Sequence, residues 1–489
     1  MRTVPDIGDE NLTSLKSIYF ERLLVSDCGV TNSARVKDTL SLVVEKWEQV
    51  DKSGKLDKIA EVSVGTPVVF RLLPVLVSRE RSLDLRPWEG FFEKLVSDLP
   101  PDVIFLSRIS ICRVEDIEEF ENLAGEADAV LIYKVGLGLG DALRKIAEAG
   151  KPLLLFAGTK DVRYALDALE YVYPRKETWV ATDFEDLVVR LRALLARKRL
   201  AHTRVLALNA DYLHWQRWLC RVQGGLAAIK ARFGVEVQGI RNSEVIQRWQ
   251  NIDPERVTET VRLWREEAKE VVEPGEEDLE VVAKLYLAME DLLTEHSAHG
   301  LTMAYGEDPL PVPCVPYMWL RDRGFPAACE ADILSLLTMV MVHHLLDKPS
   351  FMGNTFIDLE NNAILLSHCV APRKMAGYKG IPLPYVLRSQ HWGKQPGSLS
   401  AFVELTPGQE VTVCRLAGDL RSMLLANGEI QACEDLAGFC RITARVKLNG
   451  SAREFIRRTS GNHHVLVYGD HQDELQALNE LLGIETIKI

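Results

Sequence analysis

The sequence predicts an α/β protein with two doubly wound α/β domains followed by a C-terminal, mostly antiparallel, β-barrel-like domain. The chain has 489 residues, of which 47% are hydrophobic, so it is too long for one core and should divide into about three domains. In the first two thirds, short runs rich in Val, Ile and Leu alternate with helical segments, which is typical of buried parallel sheets. From Phe351 onward, short runs are separated by turn residues, which favours antiparallel strands.

These patterns give three predicted domains. Residues 1–200 contain strand-like runs such as PDVIFLSRISI and ADAVLIYKVG, separated by helical segments such as WEGFFEKLVSDL. The stretch GLGLGDALRKI departs from the GxGxxG spacing and therefore predicts a strand-to-helix turn in preference to a nucleotide site. Residues 201–349 begin with TRVLALNADYLHW and end with a long helix after Glu330. Residues 350–489 carry the turn signals LTPGQE and LANGE.

Composition excludes several classes of protein. The net charge of -12 argues against nucleic-acid binding, which needs clustered Lys and Arg. No apolar run approaches the length of a membrane span, and the start of the chain lacks a signal-peptide pattern. The nine cysteines form no CxxC pair, so we expect a reduced cytoplasmic protein without a disulfide framework.

Candidate functional residues lie at the ends of apolar elements. Glu330 precedes an apolar helical run, although an acid there also interacts well with the helix dipole. His368 closes the strand-like AILLSHC, where a single His is more often a core residue than a ligand. His463 and His464 precede the run VLVY, and strand alternation sends their rings to opposite faces. One of the two can therefore reach a cleft.

The segments CEADI, LTM, KPSFMGN, DLENNAILLSHCVAP and GNHHVLVYGDH together resemble the fucose isomerase and arabinose isomerase superfamily of ketol isomerases. The resemblance covers about the last third of the chain, and the rest matches only in domain order. It implies a metal-dependent aldose–ketose isomerase that acts on a free sugar through a cis-enediol. It also implies a divalent metal, most often Mn²⁺, and a homo-oligomer such as a hexamer.

The resemblance also implies roles for individual residues. Glu330 matches the first acidic ligand and base, and His368 matches a further metal ligand. His464, in preference to His463, matches the C-terminal histidine ligand. Asn354 stands where the family has its second carboxylate, and an amide can ligate a metal through its oxygen but cannot act as a base.

Asn354 leaves two functions open. Asp358 and Glu360 lie close by and could replace the carboxylate, although DLENN reads better as a hairpin turn. Asp332 follows Glu330 by two residues and, on a helix, is expected to face another way. The chain is therefore either an isomerase that works with one carboxylate or a sugar-binding relative that does not isomerise.

Four residues are candidates for substrate binding. Arg388, His391 and Trp392 lie in the turn-rich stretch PLPYVLRSQHWGKQPGS, a kind of loop that commonly contacts ligands, and an ordinary surface loop fits it equally well. Trp392 could offer an apolar face to a sugar ring. Trp319 precedes Glu330 closely enough to line the same cleft.

Overall fold

The computed structural model describes residues 68–79, 86–156, 163–172, 177–304, 309–391 and 397–489. All of them belong to one compact unit, Ser63–Ile489. Residues 1–67 of the predicted first domain and the candidate Trp392 lie outside the described residues.

The described strands are β1 (Phe70–Ser78), β2 (Val103–Phe105), β3 (Ile109–Ile111), β4 (Ala129–Val135), β5 (Leu153–Phe156), β6 (Thr178–Ala181), β7 (Arg204–Leu208), β8 (Glu236–Ile240), β9 (Glu270–Val271), β10 (Leu301–Met303), β11 (Ala327–Ala328), β12 (Phe351–Asp358), β13 (Ala363–His368), β14 (Tyr385–Ser389), β15 (Leu399–Val403), β16 (Glu410–Leu416), β17 (Ser422–Glu434), β18 (Ile442–Leu448), β19 (His463–Tyr468) and β20 (Glu485–Lys488). The described α-helices are α1 (Arg86–Asp98), α2 (Ile117–Ala124), α3 (Gly140–Glu148), α4 (Arg163–Val172), α5 (Phe184–Ala201), α6 (Leu213–Leu219), α7 (Gly225–Phe233), α8 (Asn242–Gln250), α9 (Pro254–Glu267), α10 (Glu276–Glu295), α11 (Cys314–Asp322), α12 (Ile333–Leu346), α13 (Ala452–Arg458) and α14 (Gln472–Leu482).

The first sheet is parallel and buried on both faces. Its strand order is β2-β1-β4-β5-β6, and β3 also pairs with β1. Successive residues of β1 enter different cores, because Leu72 belongs to one hydrophobic cluster and Leu73 to another. A sheet covered on both faces explains why these strands read as continuous apolar runs.

The second sheet is also parallel, with the strand order β11-β10-β7-β8. The chain leaves the carboxyl end of β11 at Ala328 and reaches Glu330 two residues later. Helix α12 follows and is buried along nearly its whole length. It packs against β11 of this sheet and against β16 and β19 of the next one.

The C-terminal strands form a closed antiparallel barrel of six strands. The order is β16-β19-β12-β13-β18-β17, and pairing of β16 with β17 closes it, while β20 adds in parallel to β17. Strands β9, β14 and β15 make a separate small sheet. The α/β class and the antiparallel barrel are thus confirmed. The arrangement as two doubly wound domains and the boundaries 1–200, 201–349 and 350–489 stay predictions.

Within the described part of the chain, no helix combines the length and the apolar character needed to cross a membrane.

Candidate metal centre

Glu330 lies in a strained turn between β11 and α12. Both Glu330 and Ala331 have left-handed backbone conformations, with φ of 59° and 57°. Such a conformation costs about 1–2 kcal/mol for a residue with a Cβ, so surrounding contacts must maintain it. The Ala331 N–H donates to the Met303 carbonyl at 3.0 Å, which ties the turn to β10. Glu330 therefore precedes the helix and is not part of its first turn.

The Glu330 carboxylate faces two histidines from the barrel. Its Oε1 lies 3.8 Å from Nε2 of His368, at the end of β13. Its Oε2 lies 3.6 Å from Nε2 of His463, at the start of β19. Both imidazoles are buried, whereas the Glu330 side chain is 38% exposed. Solvent therefore reaches this cluster at Glu330, whereas the two histidines are enclosed.

His463 is oriented by a buried carboxylate that sequence reasoning did not select. Asp332 Oδ2 lies 2.9 Å from His463 Nδ1. The other oxygen of Asp332 caps α12 by accepting the N–H groups of Leu334 and Ser335, at 3.1 and 3.2 Å. Because Asp332 accepts a hydrogen bond at Nδ1–H, the Nε2 lone pair of His463 is left facing Glu330.

Asp332 is ionised in this environment. Burial alone would raise its pKa, but the hydrogen bond from His463 and the nearby guanidinium of Arg415 hold it below its ordinary value. Arg415 Nη1 lies 4.0 Å from Asp332 Oδ2 and also donates to the His463 carbonyl. A Cβ at Gly461 would overlap the Arg415 guanidinium, so a larger residue there would displace that group from this position.

His368 is neutral and has a different hydrogen-bond arrangement. Burial lowers its pKa well below the ordinary value, and the positive charge of Arg321 lowers it further. The Cys369 N–H donates to His368 Nδ1 at 2.9 Å, so the neutral ring carries its proton on Nε2. Among the described residues, that buried Nε2 has no hydrogen-bond partner.

One carboxylate and two imidazoles are a ligand set that suits a divalent transition metal. The three ligand atoms lie within 4.8 Å of one another. Two ligands that are each about 2.1 Å from one ion lie at most about 4.2 Å apart, which the carboxylate–imidazole separations satisfy. His463 presents a lone pair as it stands, whereas His368 must move its proton to Nδ1, which ends the hydrogen bond from the Cys369 N–H, to become a ligand. The cluster could therefore hold a metal ion after one change of tautomer.

The other two predicted ligands lie differently. His464 is buried away from the cluster, where its Nδ1 and Nε2 each lie 2.7 Å from a threonine hydroxyl, those of Thr355 and Thr459. The cluster therefore contains His463, whereas the resemblance favoured His464. Asn354 pairs with His463 across β12 and β19, but its Oδ1 accepts a hydrogen bond from Asn462 Nδ2 at 2.6 Å.

Neither Asp358 nor Glu360 supplies a second carboxylate to the cluster in place of Asn354. Asp358 accepts the Asn361 N–H at 3.1 Å and forms an ion pair with Arg445. Glu360 is exposed in the turn that joins β12 to β13. Both positions agree with the hairpin interpretation of DLENN.

Trp319, Arg388 and His391, the described residues that were predicted to bind substrate, are not members of the Glu330–His368–His463 cluster. Trp319 is 5% exposed and packs between Trp264 and the guanidinium of Arg373, so it belongs to the core and does not line the cluster. Arg388 and His391 form an ion network that also includes Glu273, Asp435 and Arg441.

An aromatic residue of α6 also supports the site. The Trp218 ring stacks on the His463 imidazole with centroids 5.3 Å apart and planes 10° from parallel. The guanidinium of Arg221 lies 3.8 Å from the centroid of the Trp218 ring. Nothing in the periodicity around Trp218 indicated this contact. By contrast, Asp332 could have been found, because an Asp directly before an apolar helix is a helix-capping signal.

Comparison with known proteins gives a limited match to a sugar isomerase. The chain is 23% identical over 273 residues to a sulfoquinovose isomerase from Clostridium sp. (strain MSTE9), a match that spans 52% of this chain and 58% of that relative. No protein-family model matches the chain.

Comparison with solved structures is not informative. XylFII is 13% identical, covering 57% of this chain and 94% of that one, with a TM-score of 0.16. A periplasmic solute-binding protein of an ABC transporter from Actinobacillus succinogenes 130z, with bound D-allose, is also 13% identical. It covers 56% of this chain and 91% of its own, with a TM-score of 0.17. TM-scores this low do not show a shared fold.

Proposed function

We propose that the chain is a metal-dependent aldose–ketose isomerase that acts on a free sugar through a cis-enediol. The observation that carries the proposal is the partly exposed Glu330 carboxylate facing two buried imidazoles, one of them oriented by Asp332. The partial similarity to a sugar isomerase supports the same reaction type. The fucose and arabinose type, manganese and a hexameric assembly remain parts of this proposal.

In this proposal the metal is held by Glu330, His463 and, in its Nδ1–H tautomer, His368, whose ligand atoms lie within 4.8 Å of one another. When bound there, a divalent cation would polarise the sugar carbonyl and stabilise the negative charge that develops on the enediol oxygens. Asp332 keeps His463 in the tautomer that ligates.

Glu330 is the residue of the cluster that can move the proton between carbons. It is partly exposed, whereas Asp332 is fully buried and its oxygens already accept four hydrogen bonds. A cis-enediol presents C1 and C2 to the same side, so one carboxylate can take the proton from one carbon and return it to the next. A second carboxylate at position 354 is then not required for the carbon-to-carbon transfer.

Solvent exchange at carbon tests this proposal directly. The protein is treated with chelator, loaded with Mn²⁺ and incubated in D₂O with a panel of aldopentoses, 6-deoxyhexoses and hexoses. The expected result is metal-dependent ketose formation, with deuterium at C2 of the recovered aldose seen by NMR. Saturable sugar binding without ketose or deuterium across the panel would overturn the isomerase and leave the sugar-binding function that Asn354 also allows.

A further inference from the structure

Two cysteines lie at the edge of the metal-binding cluster. Cys369 follows His368 at the end of β13, and Cys440 lies in the loop between β17 and β18. Their Sγ atoms are 3.6 Å apart, and both residues are free thiols that are partly accessible to solvent. Since His368 pairs with Ile442 across β13 and β18, the two thiols lie just beyond the last paired residues.

Cys369 is connected to the cluster through the chain. It directly follows His368, and its N–H donates to Nδ1 of that ring in the Nε2–H tautomer. Cys440 is connected to the same place through its sulfur contact with Cys369. A change in the sulfur pair would therefore be felt beside His368.

We propose that Cys369 and Cys440 form a reversible disulfide that controls the ligand geometry of the metal centre, with a peroxide as the oxidant. One thiolate attacks a peroxide oxygen, breaks the O–O bond and becomes a sulfenic acid with release of water. The second thiol then displaces the sulfenic oxygen as a second water. The balance is two thiols and one hydrogen peroxide giving one disulfide and two waters, and a dithiol reverses it by exchange.

Disulfide formation brings the two cysteines closer together next to His368. An S–S bond is about 2.05 Å long, so the two sulfurs must approach each other by about 1.5 Å. Because Cys369 directly follows His368 in the chain, any backbone shift made in that approach also moves the imidazole. Formation of the disulfide does not depend on the proposed metal-dependent function, whereas its effect on the metal centre does.

Peptide mapping tests the chemical step. The full chain carries Cys220→Ser, which removes an exposed competing thiol, and is exposed to hydrogen peroxide after removal of reductant. The expected result is the loss of two titratable thiols and a Cys369–Cys440 cross-linked peptide under non-reducing conditions. Cys440→Ser in the same background should form no cross-link, whereas Cys414→Ser, which removes a buried thiol, should behave like its parent. Absence of the cross-linked peptide would overturn the proposal.

Manganese binding tests the effect on the centre. Calorimetry on reduced and oxidised protein should show affinity falling about 10-fold or more on oxidation and returning with dithiothreitol, because a shift of the His368 imidazole weakens a proposed ligand. Unchanged affinity in the cross-linked protein would overturn control of the centre. No manganese binding to the reduced protein would instead contradict the proposed function, and the peptide result would still decide whether the disulfide forms.

Discussion

The Glu330 cluster and the Glu273–Arg388 network are both charged groups, but they differ in how far their charges are satisfied. Arg388 Nε lies 2.7 Å from Glu273 Oε2, and Arg388 and His391 also contact Asp435. In the Glu330 cluster the carboxylate–imidazole gaps are 3.6 and 3.8 Å, and His368 Nε2 has no hydrogen-bond partner among the described residues. An unsatisfied buried polar atom is costly, and in this cluster it faces a carboxylate that solvent can reach.

Backbone conformation separates the two regions in the same way. Glu330 and Ala331 are held in left-handed conformations, whereas Glu273, Arg388 and Asp435 have none. Strain that surrounding contacts maintain is typical of functional sites. The comparison therefore assigns chemistry to the first region and stabilisation to the second, and each assignment can be tested.

Glu330→Gln should have the largest effect. It removes the proposed base and one charged ligand while keeping the size of the side chain, so the rate of C2 deuterium exchange should fall about 10³-fold or more. Glu273→Gln is the matched control and should leave that rate within about twofold, since an ion pair outside the cluster acts on stability. Equal losses in the two variants would remove the distinction between the regions.

The adjacent histidines of β19 give the next largest contrast. His463→Ala should reduce Mn²⁺ affinity by more than about 100-fold, because it removes a proposed ligand that already presents its lone pair. His464→Ala should leave that affinity nearly unchanged but lower the free energy of unfolding by about 2–4 kcal/mol, because a buried side chain is removed and two partly buried hydroxyl partners lose their bonds. Calorimetry and denaturant unfolding measure the two effects, and the opposite pattern would restore His464 as the ligand.

The same two histidines show which part of the site could not be predicted from the sequence. Alternation along VLVY correctly placed the two rings on opposite faces, but alternation does not say which face meets Glu330. That choice depends on the register of β12 against β19, in which Asn354 lies opposite His463. Register is set by pairing between distant segments, which no local pattern contains.

A similar limit applies to Asp332 and Trp319. Asp332 was expected to face away from Glu330 because helical spacing was assumed, but two left-handed residues separate Glu330 from the helix. Trp319 is close to Glu330 in sequence, yet α11 buries it against Trp264. The antiparallel barrel and the parallel sheets were predictable, because turn residues and apolar periodicity are local signals.

Asp332→Asn should have an intermediate effect. Asn still caps α12 through its Oδ1, so stability should change little. Its amide now donates towards His463 Nδ1, which favours the tautomer with the proton on Nε2 and withdraws the lone pair from the metal. Mn²⁺ affinity should fall about 10- to 100-fold, as for other carboxylates behind a histidine ligand.

Ser335→Ala is the control for this variant, because it removes one hydrogen bond to Asp332 and leaves the contact with His463 in place. Calorimetric affinity measured on both variants separates the effects. A loss as large in Ser335→Ala as in Asp332→Asn would mean that the helix cap, and not the histidine tautomer, controls binding.

The smallest effect is expected from Glu273, and its pH dependence distinguishes it from the Glu330 cluster. The hydrogen bond from Arg388 holds the pKa of Glu273 below its ordinary value, against the opposing effect of burial. A carboxyl whose pKa is lowered on folding stabilises the protein above its unfolded pKa, about 4.3, and loses that contribution as pH falls through the folded value.

Glu273→Gln should therefore lower the free energy of unfolding by less than about 1 kcal/mol at pH 7, because the pair is partly exposed. Denaturant unfolding from pH 7 to pH 3 should show this difference from the unmodified protein becoming smaller as pH falls. A difference that stays constant over that range would mean that the Gln side chain disturbs packing, and the network could not then be described as purely electrostatic.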